Sequence, residues 1–117
     1  MFTMEINGKE YEMLFGMGFV KTVNDWHKTT VNGMEFKVGL NMAIGRLLDN
    51  DITVVPDLIR AAVSNAGGSI QLSEINRWLE DPETDVDAVY SDLLDFLERS
   101  NCTKKQTKTL MENRESE

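Results

Sequence analysis

The apolar pattern of this chain changes period once, near residue 15, and that change limits the fold more than any other feature. Residues 2–7, FTMEIN, alternate apolar and polar, which puts Phe2, Met4 and Ile6 on one face of an extended segment. Asn7-Gly8 follows, a dipeptide suited to the type I′ turn because both of its central residues need positive φ. Lys9 to Met13 resumes the alternation, so an N-terminal β-hairpin is predicted. Two strands alone are marginal in water and need something to pack against.

From Phe15 onward the spacing is helical. Phe15, Phe19, Val23 and Trp26 lie four, four and three apart, the stripe of one helix face. Residues 29–34, TTVNGM, interrupt it with β-branched residues and a second Asn-Gly. Phe36, Leu40, Ala43, Ile44, Leu47 and Leu48 then form a second stripe, stopped by Asp49-Asn50-Asp51. Val55, Leu58, Ile59, Ala62 and Val63 form a third, with Pro56 in the first turn, where its missing N–H is harmless. Asn65-Ala66-Gly67-Gly68-Ser69 stops that helix. Leu72, Ile75, Trp78 and Leu79 give a short helix ended by Asp81-Pro82. Thr84, with Asp87 three residues on, resembles a capping box for the longest stripe, Val86, Val89, Tyr90, Leu93, Phe96 and Leu97. The expected fold class is mostly α, of the α+β kind: an N-terminal hairpin and about five helices in one domain over residues 1–102. Residues 103–117 have little apolar content beyond Leu110 and Met111, so a disordered or loosely ordered tail is expected there.

Charge narrows the function classes. The chain carries a net −8, and residues 1–102 alone carry −9. Eight carboxylates and no basic residue fall between Glu80 and Glu98. A general nucleic-acid binder needs a clustered basic face, which is absent, so no nucleic-acid partner is expected. No apolar run approaches the ~18 residues of a membrane span, and no signal peptide is recognisable at the N-terminus; no membrane partner is expected. Cys102 is the single cysteine, which excludes an internal disulfide and fits a reducing compartment.

Neither catalysis nor a cofactor is expected from the motifs. The octet MLFGMGFV, residues 13–20, contains Gly16-x-Gly18, but Lys21 stands where a dinucleotide fingerprint needs a third glycine, and the Gly-Lys-Ser/Thr of a phosphate loop is missing. The two glycines are read as geometry: a tight strand-to-helix passage and close packing on the hairpin. Asp81, Glu83, Asp85 and Asp87 alternate as calcium-loop ligands would, but Val86 occupies the position that needs glycine. His27 and Cys102 have no partner at nucleophile–base spacing. What survives is a surface for protein contact. Five of seven methionines lie in the first 34 residues, and methionine is adaptable at binding surfaces as well as in cores. Met4, Tyr11, Met13, Met17, Phe19 and Met34 are the candidate interaction residues, Phe19 also being expected inward with Phe15.

In order along the chain, INGKEYEMLFGMGFVK, VGLNMAIGRLLDND, VVPDLIRAAV and IQLSEINRWLED with VDAVYSDLLDFLERSN resemble the tail assembly chaperones of long-tailed phages and prophages of Gram-positive hosts. The similarity spans residues 4–102. Where that family often carries a Gly-Asp-Pro turn, this chain reads Asp49-Asn50-Asp51-Ile52-Thr53. The resemblance implies a non-catalytic protein of the host cytoplasm, absent from the mature virion. It implies binding to the apolar, helical tape measure protein and recruitment of the tail-tube protein through a frameshift-extended form. Self-association into rings or spirals is implied too. The rival reading, from the acidic body alone, is a phage-encoded inhibitor that mimics DNA and occupies a host nucleic-acid-binding protein.

Overall fold

The computed structural model describes residues 1–115; Ser116 and Glu117, the last two of the expected tail, lie outside the described residues. Strands β1 (Phe2–Ile6) and β2 (Lys9–Met13) pair antiparallel with Met4 opposite Tyr11. Asn7 and Gly8 both adopt positive φ, 54° and 80°, as the type I′ turn requires. Met4, Ile6, Tyr11 and Met13 form the inner face and are buried. Helix α1 (Met17–Asn24) follows, then a second hairpin, β3 (Lys28–Val31) and β4 (Met34–Lys37). Helices α2 (Gly39–Leu48), α3 (Val55–Asn65), α4 (Leu72–Glu80), α5 (Val86–Arg99) and α6 (Lys104–Glu115) complete the chain, with a 3-10 turn at Ile52–Val54 ahead of α3. The mostly α, α+β class with an N-terminal hairpin is the class observed.

Helix α3 is the centre of the core. Val55, Leu58, Ile59, Ala62 and Val63 are all buried, so its stripe is covered along the whole helix. It packs against β2, α1 and α4, while α2 packs against α1, α5 and α6. An aromatic cluster joins the first hairpin to the end of α5. Phe2 stacks on Phe96 with ring centroids 4.5 Å apart, and Phe15 meets Phe19 edge-on at 4.9 Å. Edge-on and offset geometries suit the ring quadrupoles.

Several boundaries differ from those read off the sequence. Phe15 is buried but precedes α1, and Trp26 lies beyond its end with its side chain exposed. Phe36 belongs to β4 and is exposed; its four-residue spacing from Leu40 coincides with a helical period without marking a helix. Residues 28–37 form the additional hairpin because Asn32 and Gly33 take positive φ, 52° and 78°, the same turn chemistry as at Asn7-Gly8. The N-cap of α5 is Asp85, whose carboxylate accepts from the Ala88 N–H at 3.1 Å. Thr84 instead donates its hydroxyl to the Trp78 carbonyl, closing the end of α4.

Residues 104–115 are helical, and α6 joins α2 and α5 through polar contacts and Leu110, which packs against the core. Thr107 is fully buried and donates to the Thr103 carbonyl at 2.8 Å. Thr103, also buried, donates to the Leu97 carbonyl at 2.6 Å, and Arg114 pairs with Asp49.

Among the glycines, Gly39 makes the closest main-chain approach, where α1 ends and α2 begins. A Cβ on Gly39 would collide with the Val23 carbonyl oxygen and crowd the Asn24 carbonyl, both main-chain atoms that cannot swing aside. Gly39→Ala is therefore expected to destabilise the chain by about 3 kcal/mol or more, through forced separation of two packed helices. Urea unfolding followed by circular dichroism checks this; a loss near that of an ordinary helix-surface substitution would show that the crossing tolerates displacement.

Candidate functional site

Of the six residues singled out as interaction candidates, four have side chains that are part of the core. Met13 and Phe19 are fully buried, and Met4 and Tyr11 are nearly so. The Tyr11 hydroxyl is hydrogen-bonded to the Glu74 carboxylate at 3.1 Å, tying the first hairpin to α4. Burial, then that bond, pushes its phenol above the ordinary value. Met17 and Met34 are the two that face solvent, 59% and 63% exposed.

The octet resolves into a connection with a specific neighbour. Leu14 N–H donates to the Ala62 carbonyl at 3.1 Å, and Gly16 N–H donates to the Asn65 side-chain oxygen at 3.3 Å, so the passage from β2 to α1 is tied to the end of α3. A Cβ on Gly18 would strike the Asn65 side-chain nitrogen. Gly18 thus makes room for Asn65; its close neighbour is α3 rather than the hairpin. Gly16 has φ −98° and ψ −164°, an extended conformation open to any residue. With Phe15 and Phe19 turned inward, Leu14 and Met17 remain exposed.

Most exposed large apolar side chains fall on two sets of elements; Ile52, in the 3-10 turn before α3, stands apart. Met1, Leu14 and Met17 belong to the N-terminal segment and the start of α1. Met1 and Leu14 also line a groove of about 380 Å³, together with Phe2, Phe15, Arg99 and Cys102. The second set is the hairpin β3–β4 with Trp26 just before it: Trp26, Val31, Met34 and Phe36 are all exposed. Every residue of both strands is exposed. The register pairs Val31 with Met34 and Thr29 with Phe36, so these four share one face, while Lys28, Thr30, Glu35 and Lys37 occupy the other. Such an apolar ribbon face differs from scattered surface residues, which need no explanation.

Chemistry-bearing residues do not converge. Among the described residues no three of His, Cys, Asp and Glu are placed to hold a metal ion. Asp81 and Asp85 accept from the main-chain N–H groups of Glu83 and Ala88, as turn and cap. Cys102 is exposed, and the carbonyl of His27 accepts from Val38 N–H at 2.9 Å. No helix among the described residues is long and apolar enough to cross a membrane.

The family model described as phage tail assembly chaperone protein, TAC, matches residues 3–112, nearly the whole chain. The chain belongs to the phage tail assembly chaperone family. No curated protein and no solved structure matches it. For a member of this family the relevant surface is one that takes up protein, and the two exposed apolar sets are the features of this structure suited to that. The buried candidates were drawn from alternation and methionine content, which do not distinguish a core face from a binding face. The Asn32-Gly33 turn between two short alternating runs was the signal for the ribbon.

One exposed ion pair links the ribbon to the end of α1 and a second lies across the ribbon itself. Lys37 lies 2.8 Å from Asp25, and Lys28 lies 3.9 Å from Glu35. The hydrogen bond and charge of Lys37 hold the Asp25 carboxyl below its ordinary value. A group with a lowered folded-state pKa contributes stability above its unfolded value and loses it as pH falls through the folded one. Carboxyl-detected NMR titration should therefore place Asp25 below the usual aspartate range, and Lys37→Ala should return it to that range. An unchanged Asp25 titration in the variant would mean that the pair does not anchor the root in solution.

Proposed function

We propose that this chain coats the tape measure protein of a phage tail, keeps its apolar helical surface out of water before polymerisation, and hands it over as tail-tube subunits arrive. It does so without catalysis, in the host cytoplasm, and is left out of the finished virion. A frameshift-extended form would carry the contact to the tail-tube protein, and copies of the chain would associate around the client in rings or spirals. The observation that carries this reading is the match to the chaperone family over residues 3–112.

The exposed apolar side chains of the N-terminal third support it, because they offer the client a seat. Met1, Leu14 and Met17 expose flexible apolar side chains beside the groove under Phe2 and Phe15. A long unbranched methionine adapts its shape to different partners at little cost, which suits a chaperone that must accept many stretches of one long helix. The net −8 of the chain keeps a coated complex dispersed through mutual repulsion.

The test is co-expression with the tape measure protein encoded in the same tail gene cluster. In a Leu14→Ser, Met17→Ser double variant the soluble client fraction should fall severalfold. Unfolding of the variant alone should change little, since both side chains face solvent and exposed substitutions generally stay within about 0.5 kcal/mol each. Undiminished client solubility with a folded variant would place the client surface elsewhere.

A further inference from the structure

Helices α1 and α3 pack together, and with the 3-10 turn and the last turn of α2 they frame an open cleft of about 560 Å³. Trp26 lines it from just beyond α1, Arg46 from α2, and Asp57, Arg60 and Ala61 from α3. Their spacings of three and four put the α3 residues on a flank that the buried stripe of that helix leaves free. A recess of about 100 Å³ shares Trp26, Arg46 and Val54 with the cleft and adds Met42 and Ala43 as apolar wall.

This cleft is where an acidic chain displays positive charge that it does not use itself. Arg99 and Arg114 are ion-paired, with Asp95 and Asp49. Arg46 and Arg60 form neither an ion pair nor a side-chain hydrogen bond among the described residues. Two carboxylates stand near. Asp57 lines the cleft one turn before Arg60 and does not pair with it. Asp51 accepts from the Thr53 hydroxyl and N–H, and those bonds, ahead of the charge of Arg46, hold its carboxyl below the ordinary value. Two arginines against Asp57 leave the lining at a net +1, in a chain of net −8. The groove beside the first hairpin, by contrast, is lined by five carboxylates and no Lys or Arg. Lys104, Lys105 and Lys108 are also positive, but they lie exposed along a helix. Only in the cleft do two arginines share a concave wall with an exposed tryptophan, and Trp and Arg are the residue types that dominate binding energy at interfaces.

We propose that the cleft seats a carboxylate side chain of an amphipathic helical segment of the client, with Arg46 and Arg60 donating to the carboxylate and an apolar neighbour packed on Trp26. This deepens the coating reading, and rests on it, by naming the chemistry of the segment that is taken up. A carboxylate is the matched anion, because its single charge balances the lining, whereas a phosphate dianion leaves an excess beside Asp57. The planar guanidinium fork also fits carboxylate geometry. Apolar contact at Leu14 and Met17 is non-directional and lets a helix slide. A charge-assisted hydrogen bond is directional, so the two arginines fix the register of the client on the chaperone.

Titration calorimetry of the full chain with two synthetic probes tests this. Both are capped amphipathic peptides of about 20 residues, long enough to hold helix, with one leucine stripe in common. One carries Glu at the edge of the stripe and the other Gln. The Glu peptide should bind on the order of tenfold more tightly, the scale of one hydrogen bond to a charged group. Arg46→Gln, Arg60→Gln should erase that difference and leave the Gln peptide unaffected, while Trp26→Ala should weaken both peptides severalfold. In proton–nitrogen spectra the Glu peptide should shift the side-chain N–H signals of Arg46, Arg60 and Trp26. All three side chains are exposed, so folding should survive; circular dichroism verifies it, and single Arg60→Gln replaces the double variant if that unfolds. Equal affinity for the two peptides overturns the proposal, as does binding of neither, or a double variant that keeps the preference. Inorganic phosphate or a single-stranded oligonucleotide that moves the same three signals at lower concentration than the Glu peptide marks a phosphate site and overturns the carboxylate assignment. A folded double variant that keeps the tape measure protein as soluble as the wild type does removes the client as occupant and leaves the chaperone reading intact. A wild type that fails to solubilise that protein, yet prefers the Glu peptide, overturns the coating reading and leaves the carboxylate seat, so the two fail separately.

Discussion

The crossing of α1 and α2 at Gly39 is the constraint on which the layout of this chain depends. Gly39 lies against the Val23 carbonyl, and Asn24 satisfies the Leu40 N–H, an orphan donor of the first turn of α2. With the end of one helix and the start of the next pinned together, everything between them must leave the body and return to the same point. A helix running unbroken through Phe36 into Leu40 is thereby ruled out, because Phe36 lies in β4, on that excursion. The same crossing brings α2 onto α1 and lets its other side receive α5 and α6.

Two hairpins built on the same turn chemistry therefore have opposite fates. Asn7-Gly8 and Asn32-Gly33 adopt matching conformations, yet β1–β2 buries one face on α3 whereas β3–β4 buries none. The difference lies in what stands next in the chain. After β2, Leu14 and Gly16 are bonded to Ala62 and Asn65, which draws the first hairpin onto the central helix. After β4, the second ribbon is held at its pinned root by Asp25–Lys37 and the His27–Val38 bond. An exposed salt bridge contributes little. The apolar face of β3–β4 is thus stabilised only weakly by its own chain.

Legibility in the sequence followed the strength of the periodic signal. The stripes of α3 and α5 read correctly because Leu58, Ile59, Ala62 and Val63, and Val89, Leu93 and Leu97, are buried at helical spacing against more than one neighbour. Phe15, Trp26 and Phe36 misled because a spacing of three or four can join residues on either side of a helix end. Helix α6 carries a weak apolar stripe; it is placed by the Thr103 hydroxyl on the Leu97 carbonyl and by Gln106 bonded to Asn41 at 3.1 Å, contacts that spacing does not announce. Of the methionines singled out for the candidate surface, Met4 and Met13 are buried and Met17 and Met34 are exposed. Met13 and Met17 lie four residues apart, yet one is sealed beneath the hairpin and the other open to water. Met13 continues the inward alternation of β2 after Tyr11, whereas Met17 opens α1, whose buried residues are Phe19 and Val23.

The acidic composition and the exposed apolar side chains are two parts of one physical arrangement. A chain that displays Met17, Met34 and Phe36 is prone to self-adhesion unless something opposes indiscriminate contact. A net charge of −8 opposes it over about 8–10 Å, the screening length near physiological salt. Repulsion of that range penalises most mutual orientations of two copies. Charge of this kind selects among encounters more than it adds affinity.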